Sequence, residues 1–426
     1  MNSEGLILPN SDRRTFLKTA AATGALASLI QFPSGVHAGG SDMLKIGLVG
    51  CGGRGTGAVF DAFKADPNTK LFAMADAFSD RLQSSLNTIR KRHADRVDVP
   101  KDRQHDGFDG YKKVVDECDV ILLATPPHFR PIHLKECVAK GKHVFYEKPV
   151  AVDAPGVRSF IETSKEAEKK GICFKSGFCY RSDLAKRETI KRIHDKVIGD
   201  VVAMHVSYNT GPLWHRGNNP KWSEMEYQMR NWYYFTWLSG DHIVEQHCHN
   251  HDKAAWVMNG EMPVAAVGLG GRQVRTDKKY GNIYDHFSVV YEYASGVKLF
   301  SFCRQMKDCY IDVSDHIMCT KGSAQLMEHR ITGALNWAYQ GEAPNMYEQE
   351  HKELFATIRS GKIVNDGVAA ANSTMMSILG RMVCYSGQRI TWEEAKGSTI
   401  DLSPAKYEWG PHQSAPVAEP GKTKVL

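Results

Sequence analysis

The chain has 426 residues, of which 42% are hydrophobic and 24% charged, and its formal net charge is +6 at pH 7. This length exceeds what one ordinary hydrophobic core organises, so we expect two domains, and the composition is typical of a soluble globular protein. No dense run of Lys and Arg follows the basic N-terminus, so the charge gives no reason to expect nucleic acid as a partner.

The N-terminus carries the pattern of an export signal. The run RRTFLK at residues 13–18 precedes an alanine-rich apolar segment, 19–30, which is too short to span a bilayer. The tripeptide VHA at 36–38 suits a signal peptidase. We therefore predict a twin-arginine signal peptide over residues 1–38, export to the periplasm and no stable membrane insertion after cleavage. A disordered basic tail and an uncleaved anchor are the alternatives.

The ten cysteines include no C-x-x-C pair, and most lie in apolar runs. An exported protein can carry disulfides, but twin-arginine export moves cargo that has already folded in the reducing cytosol. We therefore expect buried free thiols rather than a disulfide framework.

The first structural motif is KIGLVGCGGRGTG, residues 45–57. Its apolar start is typical of a buried strand, and Gly50, Gly52 and Gly55 then form G-x-G-x-x-G before a helix-compatible pattern. In a dinucleotide site these glycines permit a tight turn, close approach of the pyrophosphate and packing of helix on strand. The helix N-terminus then faces the negative charge. The motif predicts dinucleotide binding, and an ordinary glycine-rich turn is the alternative.

A second predicted strand, 70–75, ends in Asp76, about 20 residues past the glycines, where a ribose hydroxyl would be bound. A carboxylate accepts hydrogen bonds from ribose hydroxyls and repels a 2′-phosphate, so we predict NAD rather than NADP as the cofactor. Arg81 lies near enough in sequence to offset that preference.

Strands and helices alternate over the rest of the first half. Helices are predicted at 79–95, 111–117, 131–140 and 154–170, and strands at 119–124, 142–146 and 171–176. This alternation predicts an α/β domain with a doubly wound parallel sheet at 43–178. The loops after two of the strands hold Thr125, Pro126, His128, Glu147 and Lys148. Both loops belong to the carboxyl edge of the sheet, where ligands bind in such folds.

The pattern changes after residue 178, and the second half is predicted to be α+β with a mixed or antiparallel sheet. Helices are predicted at 182–196, 346–360 and 368–385, and strands at 201–208, 264–269, 284–293, 297–304 and 310–319. A hairpin turn is expected at 292–296. We assign residues 179–410 to this second domain, whose last two helices close it, and residues 411–426 to a loose polar tail.

Lys148 is the first candidate for chemistry. Pro149 fixes its own φ and restricts Lys148 to extended geometry, which helps to hold the lysine at the ligand edge. A lysine there can hydrogen-bond a substrate hydroxyl and favour the loss of its proton. Taken alone, the residue is more simply interpreted as a surface lysine at a strand end.

A His-rich segment contains the second candidate. In a helix, Glu245 and His249 share one face, so the carboxylate can orient the imidazole, which takes a proton from an alcohol as hydride leaves. Asp252 could support the ring from the other side. The spacing of His242, Glu245 and His247 matches no zinc-protease motif. The alternating His247, His249 and His251 would converge only on a strand, so we predict no metal. A purely structural polar helix is the alternative.

The segment 211–240 is rich in aromatic residues, whose faces suit the C–H faces of sugars. They are Trp214, Trp222, Tyr227, Trp232, Tyr233, Tyr234 and Trp237, with polar neighbours such as His215, Arg216, Asn218 and Asn231. A loop that uses these aromatic residues as its own core is an equal alternative.

Six short runs together resemble the Gfo/Idh/MocA family, that of glucose-fructose oxidoreductase and inositol dehydrogenase. They are GCGGRG at 50–55, TPP at 125–127, GKHV at 141–144, EKP at 147–149, YR at 180–181 and H-x-x-D at 249–252. The resemblance implies an N-terminal Rossmann domain and a C-terminal domain with a large open-faced sheet that often forms a dimer interface. It therefore implies a homodimer or homotetramer. It also implies hydride transfer between a nicotinamide and a sugar, polyol or similar substrate.

The same resemblance implies roles for individual residues. Lys148 and His249 are the implied catalytic pair, with Glu245 beside them. The expected cofactor-binding residues are Gly50, Gly52, Gly53, Arg54, Gly55, Asp76, Thr125, Pro126, His128, Glu147, Lys148 and Arg181. Together with the aromatic segment, the resemblance gives the expected substrate-binding residues as Lys148, Tyr180, Trp214, Asn231, Trp232 and His249.

The chain departs from the family pattern at two positions. The family usually has Asp four residues before the catalytic His, and Glu245 here keeps the charge but moves it. The common T-P-x-x-x-H pattern ends in Arg130, which can bind substrate, bind a cofactor phosphate or face solvent.

Three functions are compatible with these residues. The first is an exported NAD-dependent oxidoreductase acting on a sugar, polyol or glycoside, with a tightly held cofactor because no free periplasmic pool of NAD is expected. The second is a redox-neutral, NAD-dependent glycoside hydrolase like those of family 109, in which oxidation at C3 permits elimination of the aglycone. The His-containing glycine segment of those enzymes is not found here. The third is a non-catalytic carbohydrate-binding protein that retains the fold.

Overall fold

The structure is a computed structural model that describes residues 42–426. The predicted export signal, residues 1–38, lies outside the described residues. The helices are α1 (Gly53–Ala65), α2 (Ser79–His93), α3 (Gly110–Glu117), α4 (Arg130–Ala139), α5 (Ala154–Lys169), α6 (Leu184–His194), α7 (Glu224–Arg230), α8 (Thr236–Ser239), α9 (His242–Glu245), α10 (Cys248–Val257), α11 (Met346–Arg359), α12 (Gly367–Ser386) and α13 (Trp392–Gly397).

The strands divide between two sheets. They are β1 (Leu44–Val49), β2 (Thr69–Asp76), β3 (Gln104–Asp106), β4 (Val120–Leu123), β5 (His143–Tyr146), β6 (Phe174–Ser176), β7 (Val201–Thr210), β8 (Ala265–Gly271), β9 (His286–Glu292), β10 (Lys298–Gln305), β11 (Asp312–Cys319), β12 (Gly322–Gln325), β13 (Arg330–Gly333), β14 (Trp337–Ala338) and β15 (Ile390–Thr391). The sheet of the first half holds β1 to β6, and the sheet of the second half holds β7 to β15.

The first sheet is parallel throughout, in the order β3-β2-β1-β4-β5-β6. Strand β4 is buried at every residue, as expected where both faces of a parallel sheet are covered. The strand order reverses between β1 and β4, so the loops after these strands border a crevice at the carboxyl edge. The predicted doubly wound sheet is confirmed. Strand β6 begins later than predicted because Gly171 occupies a left-handed turn with φ +70°.

The second sheet has the order β14-β13-β12-β11-β7-β10-β9-β8-β15 within the described part of the chain. Strands β7 and β10 pair in parallel and the other neighbours are antiparallel, so the predicted mixed sheet is confirmed. The predicted hairpin turn closes with Tyr293 N–H donating to Val297 O at 3.0 Å. One face packs against α12, and the other exposes apolar side chains that include Leu269, Phe300 and Met318.

Helix α11 does not close the second domain as predicted. Its Leu354 and Phe355 join the hydrophobic core beside the first sheet, and its last residue, Arg359, pairs with Asp66 at 2.9 Å. The apolar stripe of this helix meets α1, whereas α12 remains with the second sheet. An amphipathic pattern predicts that a helix has a buried face, but it does not identify the surface that covers that face.

The C-terminal segment 411–426 is not a loose tail. Its backbone accepts hydrogen bonds from Tyr284 O–H at Ala418 O and from Ser398 Oγ at Val425 O, both at 2.8 Å. The side chains of Ala418 and Val425 also pack against the main core. The predicted loose tail is therefore wrong, since scattered apolar residues anchor a segment without regular secondary structure.

Two further features concern the chain as a whole. All ten cysteines lie within the described residues and carry free thiols, and eight of them are buried. Among residues 42–426, no helix combines the length and the apolar character needed to cross a membrane.

Candidate active site

The glycine loop joins β1 to α1 at the carboxyl edge of the first sheet. Gly50 has φ +95°, and a Cβ there would lie 2.6 Å from the backbone of Ala124. A Cβ on Gly55 would meet the carbonyl oxygen of Gly50. By contrast, apart from adjacent residues and the backbone of α1, no atom of the described residues lies within 4 Å of a Cβ built on Gly52 or Gly53. The open space at the N-terminus of α1 therefore fits the pyrophosphate of a dinucleotide.

Asp76 ends β2 beside this loop. Its Oδ2 accepts the Cys51 N–H at 2.7 Å, and its Oδ1 accepts the Phe78 N–H at 2.9 Å. Burial raises the pKa of Asp76 above its usual value, although both N–H groups oppose that shift. The carboxylate lines a cavity together with Phe78, Arg81 and Phe108. This cavity is placed to receive the adenosine half of a dinucleotide.

A second cavity adjoins the first and shares Gly52, Thr125 and Pro126 with it. Its lining includes Arg54, Glu147, Lys148, Tyr208, Trp214, Trp232, Glu245 and His249. The structure thus brings Lys148, Glu245 and His249 into one cleft that continues from the glycine loop.

A helix break sets the contact between Lys148 and Glu245. Helix α9 ends at Glu245, and α10 begins at Cys248. The His249 N–H bonds to Gln246 O at 3.2 Å, so the Glu245 carbonyl oxygen is left without a helical partner. Lys148 Nζ donates to that carbonyl oxygen at 2.5 Å and to Glu245 Oε1 at 3.2 Å. One residue therefore fixes the lysine through both its backbone and its side chain.

These contacts keep Lys148 protonated. Burial by itself lowers the pKa of the lysine, but the negative charge of Glu245, with smaller contributions from Cys248 and Glu147, raises it above its usual value. Lys148 is an ammonium group at neutral pH, and it acts in the cleft as a hydrogen-bond donor.

The two predicted supports of His249 are absent among the described residues. The helix break removes the i, i+4 geometry of Glu245, whose carboxylate faces Lys148 instead. Asp252, three residues after His249, forms an ion pair with Arg181 at 2.8 Å. Arg181 borders a separate cavity, so the structure places it away from the cofactor cleft, contrary to the prediction.

His249 is held by aromatic packing instead. Its ring meets the ring of Tyr180 edge to face, with centroids 5.2 Å apart, and Tyr180 is not among the residues that line the cleft. The buried Nδ1 has no hydrogen-bond partner within residues 42–426. Burial, followed by the positive charges of Lys148 and Lys253, lowers the pKa of His249 well below its usual value. The imidazole is therefore neutral and can accept a proton.

The neighbouring histidines turn into the core. His247 Nε2 and His251 Nε2 bond to the Ser301 hydroxyl at 2.7 and 2.9 Å, and His251 Nδ1 bonds to Ser377 at 2.7 Å. Both rings are fully buried. His247 and His251 therefore meet at one hydroxyl in the core, and of the three alternating histidines only His249 lines the cleft.

Two other predicted ligand-binding residues have structural contacts. His128 Nε2 bonds to the Tyr407 hydroxyl at 2.8 Å, and burial lowers the pKa of this histidine to about 4. Asn231 is fully buried, accepts the Arg216 N–H at 2.8 Å and donates to Gly217 O at 3.1 Å. Neither side chain lines the cleft, and the hydrogen bonds of each hold a loop in place.

Arg130 borders the cleft, but backbone carbonyl oxygens engage its guanidinium. It is 4% exposed and donates to Thr125 O at 2.8 Å and to Pro149 O. These bonds join the loop after β4 to the loop after β5. The arginine therefore holds in place the turn that carries Lys148.

Arg54 and Glu147 meet in the cleft next to the glycine loop. Arg54 Nε lies 2.5 Å from Glu147 Oε1, and Arg54 Nη1 lies 3.2 Å from Asp61 Oδ2. A Cβ on Gly177 would lie 2.9 Å from the Glu147 carboxylate, so a larger residue there would displace that carboxylate. The arginine is thus available beside the space that fits a pyrophosphate.

The aromatic residues of segment 211–240 divide between the cleft lining and a local core. Trp214 and Trp232 line the cleft, with ring centroids 5.9 Å apart. Tyr234 and Trp237 are buried in a local core of their own. Tyr208, on β7, also lines the cleft and was not predicted. Alternation along a strand shows which residues share a face of the sheet, but it does not identify what packs against that face.

Residues from two distant segments brace the adenosine cavity. Trp409 stacks on Phe78 with ring centroids 5.3 Å apart and lies 4.5 Å from the ring of Phe108. Arg230, at the end of α7, donates two hydrogen bonds to the Asp80 carboxylate at 3.0 and 3.1 Å. We call Arg230 and Trp409 the brace. No sequence motif marks it, since these residues are far from the glycine loop along the chain.

Two family profiles match the chain. Residues 44–177 match the one described as "Oxidoreductase family, NAD-binding Rossmann fold", and residues 187–325 match the "GFO/IDH/MocA C-terminal domain". A "Glycosyl hydrolase family 109 protein" of Streptomyces coelicolor is 27% identical over 229 residues, which are 47% of this chain and 45% of that protein. The chain thus spans less than half of the length of the curated relatives it matches.

Solved structures share the fold. Myo-inositol 2-dehydrogenase from Lactobacillus plantarum matches with a TM-score of 0.63 at 19% identity, covering 82% of this chain and 99% of that chain. Aldose-aldose oxidoreductase from Caulobacter crescentus, complexed with glycerol, matches with a TM-score of 0.62 at 16% identity, with the same coverage of 82% and 99%. At these identities the likeness establishes the two-domain architecture.

Proposed function

The chain belongs to the Gfo/Idh/MocA oxidoreductase family, and from this premise we propose that it transfers a hydride between a nicotinamide cofactor and a hydroxyl or keto group of a sugar, polyol or glycoside. The observation that carries the proposal is the meeting of Lys148 and His249 in one cleft beside the glycine loop. The names of the solved structures, a polyol dehydrogenase and an aldose oxidoreductase, support the same substrate class.

The two catalytic side chains have complementary roles. The Lys148 ammonium donates a hydrogen bond to the substrate oxygen and stabilises the negative charge that develops there. The neutral imidazole of His249 accepts the hydroxyl proton during oxidation and returns it during reduction. Glu245 keeps the lysine charged and fixed. A bound nicotinamide supplies the hydride acceptor, which none of these side chains can provide.

We propose NAD as the cofactor. Gly52 and Gly53 would receive the pyrophosphate, and Arg54 lies beside that space. Asp76 would accept the ribose hydroxyls, and its carboxylate disfavours a 2′-phosphate. Arg81 lines the same cavity, so a comparison of NAD and NADP affinity tests the choice. Tighter binding of NADP would contradict it.

We further propose that the protein is exported with its cofactor already bound. The twin-arginine pattern at residues 13–18 supports export, and the brace supports retention of the cofactor after export. A mature protein that begins after Ala38 and carries stoichiometric nicotinamide would agree with this proposal. A protein that retains its first 38 residues and remains in the cytosol would contradict it.

Removing the brace should release the cofactor faster. Trp409→Ala with Arg230→Ala removes the ring stacking and the ion pair that hold the wall of the adenosine cavity. Aromatic pairs contribute about 0.5–1.5 kcal/mol beyond burial, and an exposed ion pair adds little. We therefore expect release to accelerate by about tenfold, since tenfold corresponds to about 1.4 kcal/mol.

Loss of nicotinamide fluorescence from the reduced holoenzyme, followed in the presence of a trap, measures this rate. Arg389→Ala is the matched control, since Arg389 pairs with Glu292 at 2.6 Å at the edge of the second sheet. Equal release rates for the braced and unbraced proteins would show that the brace does not retain the cofactor.

The open face of the second sheet supports a further proposal, that two copies of the chain pair there. Leu269 is 78% exposed and lies among other apolar side chains on that face. Leu269→Lys should shift a dimer or tetramer towards monomer in sedimentation equilibrium, because association would then bury a charge. Ile363→Lys, at an exposed site elsewhere, is the control. A monomeric unaltered protein would contradict the proposal.

A redox-neutral glycosidase is the second candidate function. It is favoured by the similarity to a protein named for glycosyl hydrolase family 109, which covers less than half of either chain. The third possibility, a non-catalytic carbohydrate-binding protein, is disfavoured because the glycine loop, Lys148 and His249 share one cleft.

One panel of free sugars and aryl glycosides separates these functions. Nicotinamide reduction and aglycone release are followed in the same reaction. Reduced nicotinamide without aglycone release supports the dehydrogenase and identifies the substrate. Aglycone release without net reduction supports the glycosidase, and sugar binding without either reaction supports the non-catalytic protein.

A further inference from the structure

A fully buried carboxyl group lies behind Arg54 and has no place in the proposed mechanism. Glu350, on α11, is 1% exposed, and neither of its carboxyl oxygens has a hydrogen-bond partner within residues 42–426. Its nearest positive charge is Arg54 Nη2, 3.9 Å from Oε1. A buried ionised carboxylate without hydrogen-bond donors is strongly disfavoured, so this group is held as the neutral acid.

The charges around Arg54 also favour a neutral Glu350. The single guanidinium already faces the carboxylates of Glu147, at 2.5 Å, and Asp61, at 3.2 Å. An ionised Glu350 would be a third negative charge on that one cation. A pyrophosphate placed beside Arg54 would then bring further negative charge to a site with an excess of it.

The other titratable groups around Glu350 do not compensate. Lys175 lies on β6 but is shared with Glu353 at 3.4 Å and Asp366 at 3.6 Å. His351 is buried and its pKa is lowered to about 4, chiefly by burial, so it carries no charge at neutral pH. The remaining titratable neighbours, from α11 and the turn after β6, are Tyr347 and Cys179, and burial raises both of their pKa values.

We propose that Glu350 is a positioning residue for the cofactor: as a neutral acid it leaves Arg54 available to the pyrophosphate, and loss of its proton weakens dinucleotide binding. This inference rests on the proposed function, since it takes the ligand beside Arg54 to be a nicotinamide dinucleotide. An ionised Glu350 would draw the guanidinium towards α11 and reduce the positive potential at the glycine loop. Cofactor retention is then linked to one buried proton.

Cofactor release should depend on pH because binding depends on the protonation of Glu350. The complex needs the protonated form, so release of the cofactor should be slow at low pH and accelerate as pH rises through the pKa of Glu350. Burial, and then the charge of Glu147, raises that pKa well above its usual value, so the acceleration falls on the alkaline side. Replacing Glu350 with a residue that does not titrate should abolish this acceleration.

The test measures the rate of cofactor release from the holoenzyme between pH 6 and pH 10. The unaltered protein should release the dinucleotide at least tenfold faster at pH 10 than at pH 6. Glu350→Gln should match it at pH 6 and stay within twofold across the range. Glu350→Met, which is uncharged and of similar length, should behave like Glu350→Gln. It replaces Glu350→Gln in the test if the glutamine variant folds poorly. Glu348→Gln, on the same helix but paired with the exposed Lys64, should keep the parental pH dependence.

Three results would overturn the inference. They are pH-independent release from the unaltered protein, the same pH dependence in Glu350→Gln, and release from Glu350→Gln more than tenfold faster at pH 6. A purified protein that neither carries nor binds nicotinamide dinucleotide would overturn the proposed function as well. Cofactor binding and sugar oxidation with pH-independent release would overturn this inference alone.

Discussion

Replacing Lys148 with alanine should lower turnover by roughly 10²–10⁴-fold, the usual contribution of a positioned group in proton transfer. The ammonium is held by the carbonyl oxygen and the carboxylate of Glu245 and is kept charged by them. Its removal takes away the donor that stabilises the developing alkoxide. Cofactor content should be unchanged, because the glycine loop and Asp76 do not depend on Lys148.

Steady-state turnover and bound nicotinamide per chain are the two measurements. Lys186→Ala is the matched control, since Lys186 is also buried, pairs with Asp183 at 2.9 Å and lies outside the cleft. That variant should lose stability while keeping turnover per folded molecule within about threefold. A Lys148→Ala protein with near-parental turnover would remove Lys148 from the mechanism.

His249→Asn should cost a similar factor, roughly 10²–10⁴-fold, because it removes the group that accepts the hydroxyl proton. The pH profile gives a second signature. Burial, Lys148 and Lys253 lower the pKa of His249 well below its usual value, so the base remains neutral through pH 6.5. Oxidation by the unaltered protein should therefore hold its kcat/KM down to pH 6.5 and fall only under more acidic conditions.

His247→Asn provides the comparison for His249. His247 lies two residues away, is fully buried against Ser301 and does not line the cleft. We expect a lower melting temperature with turnover per folded molecule largely retained. A kcat/KM that falls by half at or above pH 6.5 through titration of His249 would contradict the depressed pKa.

Local rules predicted five of the six strands of the first sheet, but not the short edge strand β3. Continuous apolar strands predict a parallel sheet, and the glycine loop and Lys148 each follow such a strand directly. Residues that follow neighbouring parallel strands meet at one edge, so their proximity can be read from the sequence. The carboxyl-edge position of Lys148 is an example.

Contacts set by irregular backbone or by distant segments were not predictable in this way. A continuous helix would place Glu245 and His249 on one face, but the break between α9 and α10 turns Glu245 towards Lys148. The Tyr180-Arg181 motif predicts that Arg181 binds the cofactor. In the structure Arg181 instead forms an ion pair with Asp252 and borders another cavity. The position of Trp409 depends on the docking of a segment that has no periodic pattern.

The central claim is that the cleft containing Lys148 and His249 passes a hydride between a sugar and an enzyme-bound nicotinamide. The most direct measurement is rapid mixing of the holoenzyme, with its retained cofactor and no added NAD, against the panel of sugars and glycosides. The account predicts a burst of reduced-nicotinamide absorbance that does not exceed one equivalent per active site and is lost in Lys148→Ala and His249→Asn. A fully loaded enzyme that shows no reduction with any sugar, or an equal burst in both variants, would contradict it.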